Sequence, residues 1–144
     1  MKRFLIFALV LCFALSLASC GKTYQRADEL AEDFITALLV RDEEAMKKCI
    51  HPDYTEKAIP NDAFYQTLET QFLTVGHPLT NLNVVAKANV EGMSNALKCT
   101  YVARVNELFY TVELIIIDDE NGYGVVSTAM MLNTELDYYY HESE

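Results

Sequence analysis

The sequence predicts an α+β domain, with three N-terminal helices packed on a curved, cone-like antiparallel meander of about four strands. Two observations predict it. Apolar residues recur with a helical period as far as Phe72, and from Leu82 onward they alternate and become β-branched or aromatic. Short turn signals separate the alternating runs, so consecutive strands become hairpin neighbours, and helices placed ahead of such a meander cover one of its faces.

A leader stands before the domain. Met1-Lys2-Arg3 supplies a positive n-region, Phe4 to Leu17 is almost unbroken apolar sequence, and the small residues Ala18 and Ser19 precede Cys20. The apolar run is shorter than the roughly 20 residues a bilayer-spanning helix needs. The expected organisation is a signal peptide over 1–19, a lipidated terminus and short tether over 20–25, one domain over 26–134, and an acidic, tyrosine-rich tail over 135–144.

Helix one follows from Ala27, Leu30, Ala31, Phe34, Ile35 and Leu38, which form one stripe, with Asp28 and Glu29 placed favourably at the positive end of the helix dipole. Asp42 is a good N-cap for helix two, where Ala45, Met46, Cys49 and Ile50 face inward and Glu43–Lys47 and Glu44–Lys48 are i,i+4 pairs. It ends at His51-Pro52, because proline disfavours helical geometry at the preceding residue. Pro60-Asn61-Asp62 opens helix three, with Phe64, Leu68 and Phe72 as its inward stripe, and Gly76-His77-Pro78 stops it.

The first strand spans Leu82 to Val90, with Val84, Ala86 and Ala88 on one side, and Glu91 to Ser94 forms the turn. The second, Ala96 to Val105, places Leu97, Cys99, Tyr101, Ala103 and Val105 opposite Lys98, Thr100 and Arg104. Asn106-Glu107 makes a tight hairpin into Leu108 to Ile117, which carries Tyr110, Val112 and Leu114 on one face and Phe109, Thr111, Glu113 and Ile115 on the other. Asp118 to Gly122 is the last turn, before Tyr123 to Leu132. Either face of strand three suits the core; if the one with Phe109, Ile115 and Ile117 is uncovered, it suits a homodimer or an envelope protein partner.

Removing the leader takes away Lys2 and Arg3 and no acid, leaving 9 basic against 21 acidic residues. Such a chain lacks the cationic surface that neutralises nucleic-acid phosphates, so no nucleic acid partner is expected. Of the four cysteines, Cys12 leaves with the leader; Cys49 and Cys99 both point inward, as a disulfide or as two buried thiols.

Leu17-Ala18-Ser19-Cys20 resembles the lipobox of bacterial lipoproteins. That resemblance implies a diacylglyceryl group on the Cys20 thiol, cleavage just before it, and further acylation, such as palmitate, at the new amino terminus. Two or three acyl chains hold a protein stably at a bilayer, so the expected location is the cell membrane or outer membrane, with the domain outside the cytoplasm.

The helix running into Arg41-Asp42-Glu43-Glu44-Ala45, then His51-Pro52-Asp53-Tyr54, a third helix and a curved meander resemble the nuclear transport factor 2-like superfamily, also called SnoaL-like or cystatin-like. This resemblance implies a cone with a pocket between sheet and helices. Its members include isomerases, cyclases, dehydratases and non-catalytic binding domains, so the fold alone selects no activity.

Candidate pocket residues are His51, Tyr54, Tyr65, Tyr101 and Tyr110, with Asp53 and Glu113 as nearby or strand-borne carboxylates. The plainer account is a helix stop and turn at His51 to Tyr54, phenols serving the core, and a solvated Glu113. No catalytic set, metal ligands or cofactor is expected, since His51, His77 and His141 lie far apart and the glycines are scattered. Asp118, Asp119 and Glu120 lack the alternating spacing of a calcium loop. The expected function is a lipid-anchored extracytoplasmic module binding a small apolar ligand or a protein; the alternative is an isomerase, cyclase or dehydratase working in a hydrophobic cone pocket.

Overall fold

The computed structural model describes residues 24–72 and 75–135, so the leader, Cys20 and nearly all of the tail lie outside the described residues. Helix α1 occupies 24–40, and Ala27, Ala31, Phe34, Ile35 and Leu38 of its stripe are fully buried. It ends in a Schellman turn, with Arg41 N–H donating to Leu38 O (3.3 Å) and Asp42 N–H to Ala37 O (2.9 Å). Arg41 holds the left-handed position, φ 59°, where glycine is usual. Its guanidinium lies 4.1 Å from the centroid of the Tyr65 ring, a cation–π contact that offsets part of the strain.

The tight turn puts Asp42 directly at the start of α2 (Glu43–Cys49), where its carboxylate accepts from Ala45 N–H at 3.0 Å. Lys47 pairs with Glu44 at 2.7 Å, in place of the expected i,i+4 partners. Beyond α2, a 3₁₀ turn (Pro52–Tyr54) supplies the turn expected after His51, and a short helix that was not expected, α3 (Thr55–Ala58), precedes α4 (Asp62–Phe72). Asn61 caps α4 through its Oδ1, and Tyr65 and Leu68 are buried beneath it; the side chain of Phe72 lies outside the described part.

Strands β1 (Leu79–Val90), β2 (Met93–Val105), β3 (Leu108–Asp119) and β4 (Gly122–Leu132) form one antiparallel sheet in the order β1-β2-β3-β4. This is the predicted α+β meander. Cys99, Tyr101, Ala103 and Val105 of β2 and Tyr110, Val112, Leu114 and Ile116 of β3 form the buried face, in one core with the stripe of α1. The opposite face, with Phe109, Thr111, Glu113 and Ile115, stays partly exposed, and there Lys98 pairs with Glu113 across strands at 2.9 Å. Ile117, expected on that face too, is buried, opposite the equally buried Ala96.

One expectation for β1 fails. A register shift between Val84 and Ala86 leaves Val84 opposite the buried Tyr101, but sets Ala86 opposite Thr100 and Ala88 opposite Lys98. An extra residue in a strand moves every later side chain to the other face, so the three do not share a side. Another irregularity, between Ile115 and Ile116, shifts β4 in the same manner, so that Thr128, Met130 and Leu132 pair with Leu114, Val112 and Tyr110 of the core face.

Candidate functional site

His51 is fully buried, and both ring nitrogens have partners. Nδ1 accepts from Asp53 N–H at 3.3 Å, which fixes the proton of the neutral ring on Nε2, where it donates to Asp119 Oδ1 at 3.0 Å. Asp119 Oδ1 also accepts from Asn121 N–H (2.9 Å) and Gly122 N–H (3.1 Å), while Asn121 Nδ2 donates to Asp53 Oδ2 (2.9 Å). The Asn121 amide, then the His51 ring and the Gly122 amide, hold the Asp119 carboxyl below its ordinary value. The β3–β4 hairpin thus clasps the end of α2. His51 N–H donates to Val125 O at 3.0 Å, and Tyr54 meets the imidazole edge-on at 5.7 Å.

Gly124 makes that clasp possible. A Cβ there would stand 2.3 Å from His51 N and 2.6 Å from Ile50 C, both backbone atoms that no rotamer change can move aside. The sequence signal was a lone glycine inside a strand, which marks a close backbone approach.

The other candidate pocket residues go elsewhere. Tyr101 is buried between sheet and α1, donating to Asp28 Oδ1 at 3.0 Å, and Lys87 Nζ reaches Asp28 Oδ2 at 2.6 Å. Burial first, then the Cys99 thiol and the Asp28 carboxylate, push the Tyr101 phenol far above its ordinary range. Tyr65 donates to Met46 Sδ at 3.6 Å, and Tyr110 is a core side chain. Of the five candidates, His51 and Tyr54 meet, while Tyr65, Tyr101 and Tyr110 are core side chains with other partners. Cys49 and Cys99 are buried free thiols, not a bridge, and burial raises both above the ordinary thiol range. Among the described residues no three His, Cys, Asp or Glu side chains gather as a metal site.

A groove that the sequence reading did not assemble lies between α4 and β4. It has a volume of about 480 Å³ and is lined mainly by Phe64, Leu68, Met130, Met131 and Leu132, with Thr67 and Thr134 at hand. A second compartment of about 290 Å³, between Ala58 to Asn61 and Val126 to Thr128, also has Phe64 in its lining. Among the described residues, neither is lined by a charged side chain or a histidine. Phe64 and Leu68 were legible as an apolar stripe; their meeting with Met130 and Leu132 depends on the register of β4.

Fold and groove together define the class: a helix-covered α+β meander with an apolar cleft against its last strand. No protein-family model matches the chain, nor does any curated protein. Two solved structures are similar to it. One is an NTF-2-like protein of unknown function from Silicibacter pomeroyi DSS-3 (TM-score 0.49, 13% identity, covering 79% of this chain and 98% of that one). The other is a protein from Kribbella flavida DSM 17836 (TM-score 0.37, 12% identity, covering 81% of this chain and 96% of that one).

Proposed function

We propose that this chain is a lipid-anchored, extracytoplasmic binding module of the nuclear transport factor 2-like kind that takes a small apolar ligand between α4 and β4. The observation that carries the reading is the chemistry of the groove wall. Carbon side chains and threonine hydroxyls line it, with no carboxylate or imidazole among the described lining residues. Isomerase or dehydratase chemistry needs an acid or base within hydrogen-bond reach of the substrate. Here His51 is committed to Asp119 and to Asp53 N–H, and Asp28 to Tyr101 and Lys87, away from the groove. Binding therefore fits the wall better than catalysis. A volume of about 480 Å³ falls within the roughly 300–1,000 Å³ usual for small-molecule sites.

The anchor in this reading is Cys20, four residues before the first described helical residue, Tyr24. So short a tether holds the domain close to the bilayer, where sparingly soluble ligands concentrate. Two measurements test the proposal on the full chain in its native membrane. Cys20→Ala is expected to abolish partition into the detergent phase or to block processing; an unchanged, correctly sized detergent-phase species refutes the anchor. A photoactivatable alkyl probe is expected to label peptides of α4 and β4, and labelling confined to other parts of the chain refutes the groove.

A further inference from the structure

We infer that the two compartments lined by Phe64 form one site for an uncharged amphiphile, with an aliphatic chain along Leu68, Met130 and Leu132 and a neutral hydrogen-bonding head, such as a hydroxyl or ester, beside Thr128. This rests on the reading of the groove as an apolar-ligand site and adds the identity of the head. The two compartments differ in kind. The larger is walled chiefly by carbon, whereas the smaller is flanked by Asn61, Ser127 and Thr128. They follow one another along β4, at Val126 to Thr128 and at Met130 to Leu132, and both have Phe64 in their lining, so an elongated molecule lying beside Phe64 would reach from one to the other.

Thr128 stands opposite Leu114 on the core-facing side of β4, and its Oγ1 is buried with no hydrogen-bond partner. Buried hydroxyls are nearly always paired. A turn about χ1 between staggered rotamers redirects this one, and a ligand head in the adjoining compartment supplies the missing partner.

The same surroundings select against a charged head. Among the described residues neither compartment offers a charged side chain, and an ion moved out of water without a partner is strongly disfavoured. The start of α4 opens on the smaller compartment, yet the Phe64 and Tyr65 amides are already bonded to Asn61, so they do not form an anion cradle. An excess of 21 acidic over 11 basic residues across the chain further disfavours a carboxylate. A long-chain alcohol or acylglycerol fits; the corresponding fatty acid anion does not.

The test uses full-length, lipidated protein in native membranes and two diazirine probes of equal chain length, one ending in a glycerol ester and one in a carboxylate. Labelled peptides are mapped by mass spectrometry. The ester probe is expected to label α4 and β4 about fivefold more than the carboxylate, the factor associated with about one net hydrogen bond. Thr128→Val should lower ester labelling by a similar factor, and Thr128→Ser should restore it. Equal labelling by both probes, or Thr128→Val behaving as wild type, overturns the inference and leaves the apolar groove standing. Absence of α4 and β4 labelling by either probe overturns both.

Discussion

Replacing His51 with alanine removes a fully buried ring whose two nitrogens hold separate parts of the chain. The bond from Nε2 is made to a carboxylate, a class worth about 1.5–3 kcal/mol net, and the longer Nδ1 contact adds about 0.5 kcal/mol. The void left by the ring adds roughly 1 kcal/mol, because packed surroundings relax only in part. The expected loss is about 3–4.5 kcal/mol from a total that for ordinary domains is about 5–15 kcal/mol. At roughly 4 °C per kcal/mol, Tm should fall by about 12–18 °C. Urea unfolding followed by circular dichroism measures the free energy, and His51→Gln, which keeps a donor able to reach Asp119, should lose about half as much. The pH dependence gives an independent sign. Asp119 has its folded value lowered, so its contribution is present above the ordinary Asp value of about 3.9 and is lost as pH falls through the lowered folded value. Without the imidazole that value rises toward the ordinary one, and acid unfolding should begin at higher pH. A loss below about 1 kcal/mol together with an unshifted acid transition would refute the clasp.

Gly124→Ala sets a methyl against the backbone of Ile50 and His51, which must separate and take the Ile50–Val125 bridge with them. An overpacking cost of about 3 kcal/mol is expected from the urea midpoint, and a change under about 0.5 kcal/mol would contradict the close approach. The thiols offer a chemical check: buried and raised above the ordinary range, Cys49 and Cys99 should react slowly with a thiol reagent in the native protein. In denaturant without reductant both should react at once; protection there would show a bridge.

What the sequence by itself determined is what neighbouring residues decide together. The stripe of α1, the Asp42 cap, the stop at His51-Pro52 and the Asn106-Glu107 turn each depend on positions within a few residues, and all are present. The change from helical to alternating periodicity was enough to place helices on a meander. The short helix α3, Thr55 to Ala58, carries too few residues for a period and was not legible in the sequence. Which face of strand three is buried also escaped it, since both faces are apolar enough, and only the packing of α1 chose Tyr110, Val112, Leu114 and Ile116.

Tertiary structure alone decided the sites. One added residue near Val85 turned Ala86 and Ala88 away from the side expected of them, and periodicity cannot anticipate an insertion that breaks it. His51 was legible as a boundary, but its partner Asp119 lies 68 residues along the chain. Phe64 and Leu68 likewise form a groove only where the register of β4 brings Met130 and Leu132 beneath them. Local chemistry selects each element, whereas a site is made of side chains from different elements, and their meeting is settled by the strand register and the burial that fixes it.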